Sequence, residues 1–94
     1  MDHYVYYLHS LGSDKYYLGK TNDLNRRLIE HNLGQEKFTK RGIPWTLVGY
    51  IRCSNNGEAV QLEIKLKKSK NKKYTLWFFR QHGTIGNEEI SAGR

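Results

Sequence analysis

Two short aromatic runs with a turn between them constrain this chain more than any other feature. Residues 4–9 read Tyr-Val-Tyr-Tyr-Leu-His and residues 16–19 read Tyr-Tyr-Leu-Gly. Aromatic and β-branched side chains suit a pleated, half-buried surface, so both runs read as strands. Leu11-Gly12-Ser13-Asp14 supplies turn chemistry between them. The result is an antiparallel hairpin with Tyr4 and Tyr6 on one face and Tyr7 on the other. Five of the seven tyrosines lie in it, which strand packing alone can explain. A lone hairpin is marginal in water and needs further strands or a helix against it. Trp45-Thr-Leu-Val-Gly-Tyr-Ile51 reads as a largely buried third strand.

The helices follow from what lies between. Asn22-Asp23 can cap a helix over Leu24 to Asn32, with Gly34 where a C′ glycine belongs. Residues 35–44 form a polar, basic loop ending in Ile43-Pro44. Ser54-Asn55-Asn56-Gly57 is a further loop, and a helix runs from about Glu58 to Lys68. Residues 69–73 read as a basic hinge, and Tyr74 to Arg80 as a short helix capping the sheet. The expected fold is α+β: a small three-stranded antiparallel sheet flanked by helices, in the order ββαβα with that last helix as an addition. Residues 1–81 form one domain and residues 82–94 a polar, fraying tail. The longest dense apolar stretch, Trp45 to Ile51, is far short of the ~20 residues of a membrane helix, and no secretory signal is visible. The single cysteine, Cys53, excludes an intrachain disulfide and a cysteine-rich zinc site, and fits a reducing intracellular compartment.

Charge narrows the partner. Lys and Arg number 16 against 9 Asp and Glu, a net charge of +7 on 94 residues, which favours a polyanion. Lys65, Lys67, Lys68, Lys70, Lys72 and Lys73 form one cluster, and Lys37, Lys40 and Arg41 another. Either could hold phosphates or be a solvated face. On a helical wheel Leu24 and Leu28 define the inward stripe of the first helix, and Arg27 and His31, four apart, lie together at its edge. They are either a cation and an imidazole presented at a cleft, or a snorkelling arginine and a packed histidine. Arg26 and Glu30 point away. In the second helix Ala59, Val60, Leu62, Ile64 and Leu66 form an apolar arc, and Glu63 falls near its middle. A carboxylate there needs a metal ion, an arginine or partial exposure. No Walker-type loop, HExxH or Cys/His zinc spacing is present.

Taken in order, these pieces resemble the GIY-YIG nuclease domain, in particular its small stand-alone members. The resemblance runs from Tyr4-Val5-Tyr6 through Tyr17-Leu18-Gly19-Lys20-Thr21, Arg27 and His31-Asn32, then Pro44-Trp45-Thr46-Leu47-Val48, to Glu58-Ala59 and Glu63. It covers about residues 3–80. The first tripeptide lacks the glycine of Gly-Ile-Tyr, and the second has Leu for Ile. The resemblance implies metal-dependent hydrolysis of DNA phosphodiester bonds, on branched or damaged DNA in repair or recombination. Glu63 would hold one Mg²⁺ or Mn²⁺, which suits an ion that keeps several waters. Arg27 would stabilise the phosphorane charge. One of the two tyrosines would be the general base, Tyr6 by choice, its pKa lowered by Lys20 with His31 assisting or orienting it, and Tyr17 would orient the water or hydrogen-bond the phosphate. Lys40, Arg41, Lys65, Lys67 and Lys68 would hold the DNA backbone. An unidentified targeting protein and a cytoplasmic, bacterial setting complete the expectation. Two other readings stay open: a non-catalytic basic nucleic-acid-binding module of the same fold, and a small scaffold or toxin-like domain whose basic face meets an acidic protein.

Overall fold

The hairpin lies at one side of a four-stranded antiparallel sheet, in a computed structural model that describes residues 2–86. Strand β1 (His3–Ser10) is central and pairs with β2 (Tyr16–Thr21) on one side and β3 (Trp45–Cys53) on the other. The sheet order is β2-β1-β3-β4, with β4 (Thr84–Ile85) pairing Gly49 and Tyr50 of β3. The expected sheet of three strands is therefore corrected to four. Two residues are too few to show the alternation by which a strand is read. The rest of the expected tail, residues 87–94, lies outside the described residues.

Three helices complete the chain. Helix α1 (Leu24–Asn32) begins where the Asp23 carboxylate accepts the Arg26 N–H at 3.1 Å, and ends before Gly34 at φ +78°. Helix α2 (Asn56–Ser69) starts two residues earlier than expected. Asn55 caps it by accepting the Glu58 N–H at 2.9 Å, and the Glu58 carboxylate reaches back to the Ser54 N–H at 2.9 Å. Asn56 and Gly57 are thus the first turn of a helix and not a loop. The basic hinge narrows to Lys70, in the left-handed region at φ 50°. Asn71 then caps helix α3 (Lys72–His82), accepting the Tyr74 N–H at 3.0 Å. Lys72 and Lys73 belong to α3 and not to the hinge. Among the described residues no helix is long and apolar enough to cross a membrane.

Alternation along β1 gives the sheet two different faces. Val5 and Tyr7 point to the side covered by α2 and α3, where they pack with Leu18, Val48, Ala59, Leu66 and Phe79. Tyr6 and Leu8 point to the other side, with Trp45, Tyr17, Leu24, Leu28, Leu47 and Tyr50. A bulge helps to place them. Tyr7 pairs with Gly49 but Leu8 pairs with Leu47, so Val48 is an extra residue in β3. The bulge leaves Val48 with the helices and Leu47 and Trp45 with Tyr6. We call the two sides the helical face and the α1 face.

Candidate active site

The α1 face carries a chain of buried polar side chains. The Tyr6 ring is only 2% exposed, and its hydroxyl lies 2.8 Å from Nε2 of His31. His31 is fully buried, and its Nδ1 lies 2.6 Å from Oγ1 of Thr39, itself 1% exposed. Burial pulls the His31 pKa below its ordinary value, and the Arg27 charge adds to the fall. The imidazole is therefore neutral at neutral pH. The Thr39 hydroxyl has the Glu36 carbonyl as an acceptor at 3.4 Å. One tautomer satisfies every member: Tyr6 donates to Nε2, Nδ1–H donates to Thr39, and Thr39 donates to the carbonyl. The Tyr17 ring stands edge-on to His31 at 5.1 Å and to Trp45 at 6.4 Å. The Trp45 indole N–H donates to the Thr39 carbonyl at 2.7 Å.

Arg27 lies at the margin of this chain. Its guanidinium donates to Glu30 at 2.8 Å and to Glu36 at 2.6 Å. Burial works against its charge, but Glu30, Glu36 and the Tyr6 hydroxyl outweigh that and hold it protonated. Glu30 is thus turned toward Arg27 and not away from it, as the wheel suggested. Glu36 is held below the usual carboxylate range, first by Arg27 and then by the Phe38 N–H. Neither Glu36 nor Thr39 was anticipated from the sequence. Both come from a loop without periodicity. The available signal was indirect: a buried imidazole needs a partner for each ring nitrogen.

Gly19 explains the glycine of the second tripeptide in physical terms. A Cβ there would sit 2.6 Å from the Tyr6 hydroxyl and 2.9 Å from the Tyr17 ring. Its hydrogen side chain lets both phenols approach each other beside β2.

The structure brings Tyr6, Tyr17, Arg27 and His31 together and places the other anticipated residues elsewhere. Lys20 faces the other way. It pairs with Val5 across the hairpin, and its Nζ donates to Asn56 of α2 at 3.3 Å. The expectation that Lys20 lowers the Tyr6 pKa is corrected accordingly. Burial instead pushes Tyr6 up to about 12, against the pull of Arg27. Tyr6 is a neutral phenol and not a standing phenolate. Glu63 lies on α2, its side chain 18% exposed, with Lys67 Nζ at 3.2 Å. The apolar arc around it is narrower than expected, since Ile64 is 44% exposed and only Ala59 and Leu66 are fully buried. Lys40 and Arg41 lie in a 3-10 turn (Lys40–Gly42) on the α1 side. Lys65, Lys67 and Lys68 lie on α2 and are exposed, with Lys65 Nζ 5.0 Å from the Phe78 ring centre.

A divalent ion would find few protein ligands among the described residues. Among the described residues no three His, Cys, Asp or Glu side chains converge, so a cage made wholly of protein ligands does not fit. Glu63 is a lone carboxylate among these residues, so a Mg²⁺-like ion there would have to take its other ligands from water and phosphate, as such ions commonly do. The Lys67 ammonium is its competitor for the carboxylate. β2 is an edge strand, so Tyr17 on one face and Lys20 on the other border the same rim; α2 packs along the helical face beside it.

Comparison with known proteins gives a consistent result. The family described as the GIY-YIG catalytic domain matches residues 2–75. A UPF0213 protein of Natronomonas pharaonis is 38% identical over 77 residues, 80% of this chain and 89% of that one. A UPF0213 protein of Streptococcus pneumoniae is 36% identical over 72 residues, 74% of this chain and 73% of that one. The solution NMR structure of a UPF0213 protein from Bacillus halodurans is 31% identical, covers 81% of this chain and 85% of that one, and superposes with a TM-score of 0.48.

Proposed function

This chain belongs to the GIY-YIG family, and from that premise we propose that it is an endonuclease that hydrolyses DNA phosphodiester bonds with one divalent ion, Mg²⁺ or Mn²⁺. Family membership points to nuclease chemistry and to DNA as substrate. The observation that carries the reading is the Tyr6–His31–Thr39 chain beside Arg27. Branched or damaged DNA, delivered by a targeting protein, is the substrate setting we favour.

The residues divide the chemistry as follows. Tyr17, half-buried beside the chain, orients the attacking water. As the water oxygen bonds to phosphorus, Tyr6 takes its proton and passes its own to Nε2 of His31. A neutral imidazole can accept that proton, and Thr39 holds the ring in the tautomer that does so. This relay removes the need for a standing phenolate, which a pKa near 12 forbids. Arg27 donates to the non-bridging oxygens as they gain charge. Glu63 would hold the ion, which when bound supplies charge at the leaving 3′-oxygen. The bond from phosphorus to that oxygen breaks, the oxygen takes a proton from solvent, and the ends are 5′-phosphate and 3′-hydroxyl. His31 returns its proton through Tyr6 to solvent. The exposed lysines of α2, with Lys40 and Arg41, hold the backbone.

The Glu63–Lys67 pair favours a second reading, a non-catalytic nucleic-acid-binding module, because the carboxylate already has a cation. One experiment separates the two. End-labelled duplex, flap, fork, four-way-junction and single-stranded DNA are incubated with Mg²⁺, Mn²⁺ or EDTA, using wild type and Glu63→Gln. The nuclease reading expects cleavage that needs both metal and Glu63. Salt-sensitive binding without any cleavage, unchanged in Glu63→Gln, would leave only the module.

A further inference from the structure

We infer that the hollow beside Tyr17 is a seat for one unpaired nucleotide, which makes single-stranded or flapped DNA the preferred substrate of the adjoining site. The inference rests on the nuclease reading for the word substrate, and on the hollow itself for the seat. The hollow has a volume of about 260 Å³. That is smaller than the ~300–1,000 Å³ of drug-sized sites and suits a ligand the size of one base. Its walls combine the two chemistries a nucleotide needs. Tyr17 and Trp45, edge to face, form the inner side, and Phe38 stands at the rim. Lys15, Lys37 and Arg41 surround them, and among the described residues no carboxylate lines the hollow.

Phe38 is 86% exposed. A single exposed apolar residue is ordinary on a protein surface. The footing of this one is not. The residues on either side are tied into the site: Glu36 accepts from Arg27 at 2.6 Å, and Thr39 meets His31 at 2.6 Å. Trp45 adds a third tie through the Thr39 carbonyl at 2.7 Å. The backbone carrying Phe38 is therefore clamped while its ring stays in solvent. A clamped aromatic ring next to cations is a stacking platform, since every base has a π face and every nucleotide a phosphate. Inside a duplex both faces of a base are covered by its neighbours, so only an unpaired or extruded base can use the platform. Tyr17 is wall to the hollow and member of the site, so a seated nucleotide presents its own phosphodiester to the phenols.

Binding in EDTA tests the seat without calling on cleavage. Fluorescence anisotropy of a short labelled single strand, and of the same sequence as duplex, is measured for wild type, Phe38→Ala and Phe38→Trp. Thermal melts by circular dichroism check that each variant folds. Phe38→Ala is expected to weaken single-strand binding by about 5- to 150-fold, the effect of losing one stacked base, with duplex binding unchanged. Phe38→Trp should restore it. Equal weakening for strand and duplex, or no weakening, overturns the seat. The same variants are then assayed on flap DNA with Mg²⁺. Phe38-dependent strand binding with no cleavage by wild type would end the nuclease reading and leave the seat standing. Cleavage of duplex and flap alike, indifferent to Phe38→Ala, would end the seat and leave the nuclease.

Discussion

The two faces of this sheet both bury aromatic rings, to different ends. On the helical face Phe79 is fully buried and stacks on Tyr7 at 5.5 Å, which stacks on Tyr16 at 5.0 Å. Aliphatic side chains fill the remaining space. On the α1 face an equally buried tyrosine, Tyr6, ends in a histidine, a threonine and an arginine. Among the described residues no buried side-chain nitrogen or oxygen lacks a partner. The α1 face can therefore bury polar groups because every one of them is bonded. Apolar packing concentrates on one side of β1 and the buried polar chain on the other, only one residue apart.

The largest test of that division is Phe79→Ala. Removing a fully buried ring from the helical face should cost about 3–5 kcal/mol, read from urea melts. The Tyr6–His31–Thr39 chain on the other face should fail only with global unfolding. Next in size is Thr39→Val, which keeps the shape but leaves the His31 N–H without its acceptor. A cost of about 1–3 kcal/mol is expected, together with a loss of cleavage out of proportion to it. If Thr39→Val were as destabilising as Phe79→Ala and left cleavage intact, the division would be wrong.

The smallest effect is in pH. His31 has a folded pKa below its ordinary value, so the unfolded chain binds the extra proton. Its contribution is complete above about pH 6.5 and is lost as pH falls toward the folded pKa. Cleavage should fall over the same acid range, because the relay needs a neutral imidazole. Glu36, also held low, is fully stabilising above the ordinary carboxylate range and loses its contribution as pH falls through its folded pKa. Tyr6 and Tyr7 are both pushed up to about 12, mainly by burial. Their contributions are complete below about pH 10 and are lost as pH rises through the folded values, on the order of 1 kcal/mol each by pH 11. The alkaline loss is thus shared between faces, while the acid loss from His31 and Glu36 belongs to the α1 face. Stability against pH for Tyr6→Phe and Tyr7→Phe would show it: each should remove part of the alkaline loss, and Tyr7→Phe should leave the acid loss in place.

Local signals account for what was legible in the sequence. Asp23, the unbroken run to Asn32 and Gly34 bounded α1 correctly, because caps and positive φ act through neighbouring residues. Tyr6, Tyr17, Arg27 and His31 were singled out by strand parity, helical spacing and family resemblance, and the fold does bring them together. The orientation of Lys20 could also have been read. It shares parity with Leu18, which packs under the helices, and not with Tyr17 and Gly19. Glu36 and Thr39 were not legible, since which loop residue satisfies a buried histidine is decided by tertiary placement. The bulge at Val48 and the brief β4 also depend on partners far away in the chain.

That bulge has a consequence for insertions and deletions. Regular pairing from Tyr50 back to Trp45 would put Leu47 and Trp45 under the helices, because side chains alternate with a period of two. The extra residue at Val48 restores them to the face of Tyr6. Loss of Val48 would make the ladder regular and still leave Leu47 and Trp45 on the face of Tyr6, whereas one residue inserted between Leu47 and Val48 would turn the indole away from Thr39. For the site, then, a residue gained in the middle of β3 is the more damaging lesion, because it moves the indole to the wrong face and a loss at the bulge does not.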